Sequence, residues 1–258
     1  MDAEVLVLCY HGVSDTWPMP TTVRPGALEE QVAHFVGEGY RGSTLSDALT
    51  WPPHPRTLVV TFDDACRSVG ELAAPILARY KVPGTVFVPT DYAGTDRPMA
   101  WSGHEQWLGT EHEHELLCLG WDALRGLADE GWEVGSHTCS HPRLAGEPDE
   151  RVLAELTESR RICEERMGGT CRSLAYPYSD YDRRSVEAAA AAGYSFAVTV
   201  PTSPEAALPL QWPRVGVYLH DDLKRVRLRV MRRRYRPATW GRVLAGVKAR
   251  ASRADGGR

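Results

Sequence analysis

Runs of apolar and β-branched residues alternate along this chain with stretches whose apolar residues recur at helical spacing, and that alternation constrains the fold more than any other feature. Val5-Leu6-Val7-Leu8, Leu58-Val59-Val60-Thr61-Phe62, Thr85-Val86-Phe87-Val88 and Trp132-Glu133-Val134-Gly135 read as strands. Val69, Leu72, Ala73, Ile76, Leu77 and Tyr80 fall on one face of an amphipathic helix, which Lys81-Val82-Pro83-Gly84 ends. Residues 121–130 read as a helix, 151–167 as a long one closed by Gly168-Gly169, and 185–192 as an Ala-rich one stopped at Gly193; residues 194–200 and 214–219 read as strands. Seven or eight such units imply a parallel sheet, and closing it gives an α/β barrel with functional residues at the C-terminal ends of its strands. A length of 258 residues, 43% of them hydrophobic and 25% charged, suits one such barrel.

Two of those strands end in groups that carry chemistry. The run from Leu58 stops at adjacent carboxylates, Asp63 and Asp64, and the run from Trp132 leads into His137-Thr138-Cys139-Ser140-His141. One carboxylate and two imidazoles make a three-ligand metal set that leaves positions open, as a catalytic site needs and a closed structural site does not. The second carboxylate is then spare and can serve as a base. A mixed oxygen and nitrogen set points to a divalent ion, Zn²⁺ first, with Co, Ni, Fe or Mn as alternatives.

Two further segments, Cys9-Tyr10-His11-Gly12-Val13 and Leu174-Ala175-Tyr176-Pro177-Tyr178-Ser179-Asp180-Tyr181, complete a pattern that resembles the polysaccharide deacetylase family, also called the NodB-homology or carbohydrate esterase 4 group. The resemblance covers residues 4 to about 220 with the motifs in the family's order. It implies an irregular (β/α)7 barrel of the NodB-homology type and removal of an N-acetyl group from an amino sugar. Asp63 would be the general base, Asp64, His137 and His141 the metal ligands, and a backbone N–H near Tyr178 an oxyanion donor. The chain departs from the family twice. Ala175 stands where many members carry the arginine that orients the base, and Arg172 is the nearest replacement. The late Leu-x-x-His motif is matched only loosely by Leu219-His220-Asp221-Asp222, whereas Tyr10-His11 resembles the opening motif of the branch that deacetylates β-1,6-linked glucosamine polymers. That makes His11 the expected general acid, with His220 second.

The remaining features set the surroundings. Residues 93–119 are long for a plain connection, and Trp101 or Trp107 within them offers a face on which a sugar ring stacks; Pro177 and Arg172 complete the expected substrate contacts, while the loop histidines His104, His112 and His114 read as solvated. The six cysteines have no Cys-x-x-Cys spacing and read as free buried thiols. Met1-Asp2-Ala3-Glu4 is acidic and runs at once into a strand, so no cleavable leader is expected, and no apolar stretch is long enough to span a bilayer. A cytoplasmic placement follows as an expectation. Residues 222–258 hold thirteen Lys or Arg against two acids, so the chain is divided into a catalytic barrel over 1–221 and a basic helical segment and tail over 222–258. Val226, Leu228, Val230, Met231 and Tyr235 among those arginines predict peripheral contact with an anionic membrane at its inner face; nucleic acid is not expected, since no recognition module is present. Two other readings stay open: an amidohydrolase acting on a cyclic imide or ureido compound with the same fold, and a non-catalytic carbohydrate-binding relative.

Overall fold

In the computed structural model, residues 4–50, 54–202 and 207–232 are described. β1 (Glu4–Tyr10) is followed by α1 (Pro25–Gly37), β2 (Arg41–Gly42), α2 (Leu45–Thr50) and β3 (Arg56–Phe62). Next come α3 (Ala74–Arg79), β4 (Gly84–Val88), α4 (Trp121–Asp129), β5 (Glu133–Ser136), α5 (Asp149–Met167), β6 (Ser173–Ala175), α6 (Arg183–Ala191) and β7 (Phe196–Thr199). Two very short strands, β8 (Trp212–Pro213) and β9 (Val215–Gly216), precede α7 (Leu223–Arg232).

All ladders are parallel, in the order β8-β7-β6-β5-β4-β3-β1-β9, with β2 added beside β3. The two ends of that order, β8 and β9, are one stretch of chain broken only at Arg214. Arg214 donates its backbone N–H to Thr199 at 2.8 Å, and Val217 donates to Cys9 at 2.9 Å, so the stretch spans from β7 to β1 and closes the barrel with seven strand positions. This is the irregular (β/α)7 barrel expected from the motifs.

Strand alternation sorts the core. Leu6, Leu8 and Tyr10 of β1 and Leu58, Val60 and Phe62 of β3 face the surrounding helices, while Val7 and Val59 pack inside with Phe87, Phe196, Val198 and Trp212, under Leu45 and Leu49 of α2. By the same period of two, Cys9 and His11 continue the inward face of β1, and Thr61 and Asp63 that of β3. Asp63 and His11 therefore meet over the barrel mouth because their strands run side by side in register, Tyr10 opposite Phe62.

The expected elements are recovered with three physical differences. The helix read from Val69 begins as a π-helical turn over Val69–Ala73 before α3. Pro75, with no N–H to give to the carbonyl of residue 71, breaks the regular ladder at that junction. The strand expected over 214–219 pairs only at Val215–Gly216. α7 packs against α1 and β9 through buried Val226 and Val230, and Arg229 pairs with buried Asp221, so a boundary after residue 221 cuts through a packed unit. Residues 233–258, with Tyr235 and most of the basic tail, lie outside the described residues.

Candidate active site

The turn after β3 and the loop after β5 bring three donor atoms together. The Nε2 atoms of His137 and His141 lie 3.4 and 3.5 Å from Asp64 Oδ1, all three residues being buried. Ligand atoms of a tetrahedral centre with bonds of about 2.0–2.2 Å stand about 3.4 Å apart, so the spacing suits a small divalent ion. The donor chemistry agrees. His137 Nδ1 is 2.8 Å from the carbonyl of Ala175, a contact that needs the proton on Nδ1 and leaves Nε2 its lone pair. Asp64 Oδ1 is buried without a hydrogen-bond donor. A buried acceptor left in this state is costly unless a cation takes the donor's place.

Local electrostatics keep Asp64 and His141 in ligating form. Burial works against the Asp64 charge, but the His137 contact and the neighbouring imidazoles outweigh it and hold the carboxyl far below its usual range. Burial, then the charge of His137, pushes His141 down to about 3, so its ring stays neutral at ordinary pH. Burial would lower His137 as well, but Asp64 outweighs it and draws the imidazole up, the place a metal cation would take.

Asp63 stands apart from this set and is held by a residue the sequence reading did not select. Arg214 grips it through both guanidinium nitrogens, each 2.7 Å from a carboxylate oxygen, and donates also to Thr61 Oγ1 at 3.0 Å. Burial alone would raise the Asp63 carboxyl, yet the guanidinium outweighs it and brings the carboxyl from 3.8 to about 2. Cys9 Sγ lies 3.5 Å and His11 Nε2 4.0 Å from Asp63 Oδ2. His11 is half-buried, with Nδ1 lacking a partner.

The expected replacement, Arg172, is a correction. It donates to Thr50 Oγ1 at 2.8 Å and lies over Phe196, with its partners in the α2 region at the other end of the lumen. One signal for Arg214 was present in the sequence: an arginine set between Trp212-Pro213 and Val215-Gly216-Val217 must find an anion where the strands are buried. A second residue missed in the sequence is Glu155 of α5. Although buried, it accepts the backbone N–H groups of Cys139 at 2.8 Å and Ser140 at 3.0 Å, which fixes the loop between the two histidines.

The backbone around the site is bent into an unusual conformation. Asp64, Ala65, Thr138, His141, Tyr178 and Ser179 all have φ between 49° and 67°, and among the described residues only Lys81 joins them outside the site. Each such non-glycine residue costs roughly 1–3 kcal/mol and persists only where surrounding contacts fix it. Here the turns aim Asp64, His141 and the Tyr178 ring at one point. Tyr178 meets His141 edge-on at 4.6 Å and lies beneath Arg143 at 3.9 Å. Burial raises its phenol to about 12, with Arg143 opposing.

The insertion over 93–119 forms a wall rather than a sugar platform. Trp101 is only 9% exposed, stacks on His141 at 3.9 Å and 16°, and carries His104 at 4.9 Å, so its rings are spent on protein contacts. Trp107 packs edge-on against Trp17 and His112, and Pro177 is buried. The burial of Trp101 and Pro177 corrects those two expected substrate contacts, whereas Trp107 is half-buried. His104 is also buried, not solvated, and its Nδ1–H donates to the Met99 carbonyl at 3.1 Å. His220 is exposed and outside the ligand set.

Residues 51–197, more than half of the chain, match the family model described as polysaccharide deacetylase. Among curated proteins the chain is similar to YxkH of Bacillus subtilis (strain 168), 24% identical over 210 residues covering 80% of this chain and 67% of that protein. It is 25% identical over 170 residues to a poly-beta-1,6-N-acetyl-D-glucosamine N-deacetylase of Staphylococcus aureus (strain MSSA476), covering 61% of this chain and 53% of that one. The chain thus spans about half the length of the staphylococcal relative. Among solved structures it resembles the Streptococcus pyogenes deacetylase PplD, with a TM-score of 0.71 at 19% identity over 91% of this chain and 99% of that one. IcaB from Ammonifex degensii gives a TM-score of 0.68 at 22% identity, over 95% and 97% of the two chains. At these identities the structural likeness is one of fold.

Proposed function

The chain belongs to the polysaccharide deacetylase family, and from that membership we propose that it is a metal-dependent hydrolase that removes the N-acetyl group from an amino-sugar substrate, releasing acetate and a free amine. The single observation that carries the reading is the pairing of a buried Asp64-His137-His141 set with a separate carboxylate, Asp63, gripped by Arg214 beside it. A relative that only binds sugar has no use for the second carboxylate and its buried arginine.

Asp64, His137 and His141 would hold the ion, with Zn²⁺ proposed first. When bound, such an ion supplies Lewis acidity, polarising a carbonyl and easing deprotonation of water. Asp63 takes the proton of the attacking water; Arg214 fixes both of its oxygens so that the carboxylate cannot rotate out of line. The backbone N–H at Tyr178, at the mouth of the barrel after β6, is the proposed partner for the oxygen that gains charge. His11, on the opposite side of Asp63 from the ligand set's strand β5, hands a proton to the leaving amine nitrogen. His137 is kept in the right tautomer by Ala175, and Trp101 keeps the His141 ring from turning.

Because the staphylococcal relative is named for a β-1,6-linked N-acetylglucosamine polymer, oligomers of that linkage head the substrates to test, beside β-1,4-linked oligomers and lipid-linked or nucleotide-linked N-acetyl sugars. The assay is released acetate, with metal content measured on the same samples. Asp63→Asn should keep the metal and lose about 10²–10⁴ in turnover, the range of a lost general base, whereas Asp64→Asn should lose both. Metal missing from Asp63→Asn and retained in Asp64→Asn would exchange the two roles. No acetate from any N-acetylated sugar in the metal-loaded protein would overturn the activity.

A further inference from the structure

Cys66 and Cys118 stand directly opposite each other in an isolated antiparallel bridge, and both are buried at 1% exposure. The hydrogen bonds around them define the kind of pair. Arg67 donates its N–H to Leu117 at 2.9 Å and Leu119 donates to Ala65 at 2.8 Å, so the two cysteines occupy the position between those bonds and exchange none themselves. Residues paired in this way have Cα atoms about 4.5 Å apart and side chains on the same face. A disulfide needs Cα atoms about 4.4–6.8 Å apart with Cβ atoms directed towards each other. The hydrogen-bond register thus places the two residues within the span of a disulfide.

The two segments are the two walls of the site. Cys66 lies two residues beyond Asp64, in the turn that also carries Asp63. Cys118 closes the insertion whose Trp101 stacks on His141. Ser68 Oγ, in the same turn as Cys66, accepts the N–H of Val13 and ties that turn to the loop after β1, and within the insertion Met99 donates to Leu116. We propose that Cys66 and Cys118 form a reversible disulfide that staples the insertion to the catalytic turn under oxidising conditions. The assignment needs neither the deacetylase reading nor a bound ion.

The step balances against a small disulfide such as oxidised glutathione. One thiolate attacks it, expels one molecule of reduced thiol and forms a mixed disulfide. The other cysteine then displaces the second thiol, so the two cysteines lose two electrons and two protons to the oxidant as the S–S bond forms. The link joins residues 52 positions apart in sequence, and a loop of that length in the unfolded chain makes a cross-link strongly stabilising.

The test uses the full chain, reduced and then equilibrated with mixtures of reduced and oxidised glutathione, in urea low enough to keep the fold but high enough to let the insertion open. The reduced protein contains six thiols when unfolded and titrated. The oxidised protein should show four, and a proteolytic map run without reductant should join the peptide holding Cys66 to that holding Cys118. Its Tm should exceed that of the reduced protein by roughly 5–10 °C. Cys66→Ser and Cys118→Ser should each keep five thiols in the oxidising mixture and show no such difference in Tm. Six thiols in the wild type at the most oxidising ratio would overturn the proposal. So would a link mapped to Cys163 and Cys171, which also contact each other, with the Cys66 peptide left free.

Discussion

Asp63, the proposed base, has its basicity traded for position. Two hydrogen bonds from Arg214 hold it at about 2, far below where a proton acceptor works best, yet they fix both oxygens beside the metal set. The sign of the pH effect follows. A carboxyl held below its unfolded value of 3.8 stabilises the fold fully above that pH, and the contribution is lost as pH falls from about 4 towards 2. Arg214→Met removes the strongest opposition to burial and leaves only the weaker pull of His137 and His11, so Asp63 should rise. The acid limb of the kcat/KM profile should move to higher pH, and the uncompensated buried carboxylate should cost about 3–5 kcal/mol in urea unfolding. Arg214→Lys should not restore the wild-type limb, because an ammonium cannot make the two parallel bonds. An acid limb unchanged in both variants would remove Arg214 from the positioning of the base. The proposed general acid is tested in the same way at the other end of the profile: His11→Ala should lower kcat with the metal retained and alter the alkaline limb, while exposed His220→Ala should be nearly silent. At this scale the motifs made Asp63, Asp64, His137, His141 and His11 legible, because each sits where a strand ends and local spacing sets its direction. What Arg214 and Glu155 hold was not legible, since their partners lie 151 and 16 residues away and only the closed fold brings them together.

At the scale of elements, the strands were read correctly where both faces are buried and the runs are uninterrupted, as at Leu58-Val59-Val60-Thr61-Phe62. The reading failed where tertiary closure decides pairing. Residues 214–219 were read as one strand, but the stretch from Trp212 to Gly216 serves two neighbours in turn, pairing with β7 before Arg214 and with β1 after it. That switch turns Arg214 inward over Phe87, 5.6 Å away, and so the closure of the barrel and the support of Asp63 are one structural feature. The insertion illustrates the opposite case. Its tryptophans were expected to meet sugar because they lie in a long loop, but composition cannot say which side of a ring the protein itself covers. With Trp101 stacked on His141, Trp101→Ala should cost about 3–5 kcal/mol as a large buried side chain removed and should weaken metal retention about 10–100-fold against a chelator, as loss of a ligand's supporting contact does. Trp107→Ala, whose contacts are Trp17 and His112, should destabilise the insertion and leave metal affinity near wild type. Equal metal loss in the two variants would show that Trp101 acts only through the general stability of the loop.

Over the whole molecule, charge is divided along the chain in a way the barrel does not use. Eight of the thirteen basic residues after position 221 lie beyond Arg232. In α7 the apolar positions are already partly committed, since Val226 and Val230 are buried against the barrel while Leu228 and Met231 remain 42% and 56% exposed. The expected insertion of all these residues into a membrane is therefore narrowed: Val226 and Val230 serve the fold, and Leu228 and Met231 with the surrounding Lys224, Arg225, Arg227 and Arg232 are the part of the helix available to a surface. No described helix is long and apolar enough to cross a membrane. We propose peripheral contact at the inner membrane face, where a basic residue near anionic lipid contributes about 1 kcal/mol. The truncation that tests it must spare α7, because ending the chain after Asp222 would strip Val226, Val230 and the Arg229–Asp221 pair from the barrel and confuse tethering with unfolding. Truncation after Arg232 should keep the thermal transition and the hydrolysis of a soluble substrate, yet reduce co-sedimentation with anionic vesicles at low salt. In the full-length chain, binding should fall steeply as salt rises and vanish on vesicles of neutral lipid. Leu228→Ser with Met231→Ser should weaken what binding the truncated protein retains, since exposed apolar groups beside fixed charge add insertion to attraction. Equal sedimentation of full-length and truncated protein at every salt concentration would show that the basic tail takes no part in membrane contact.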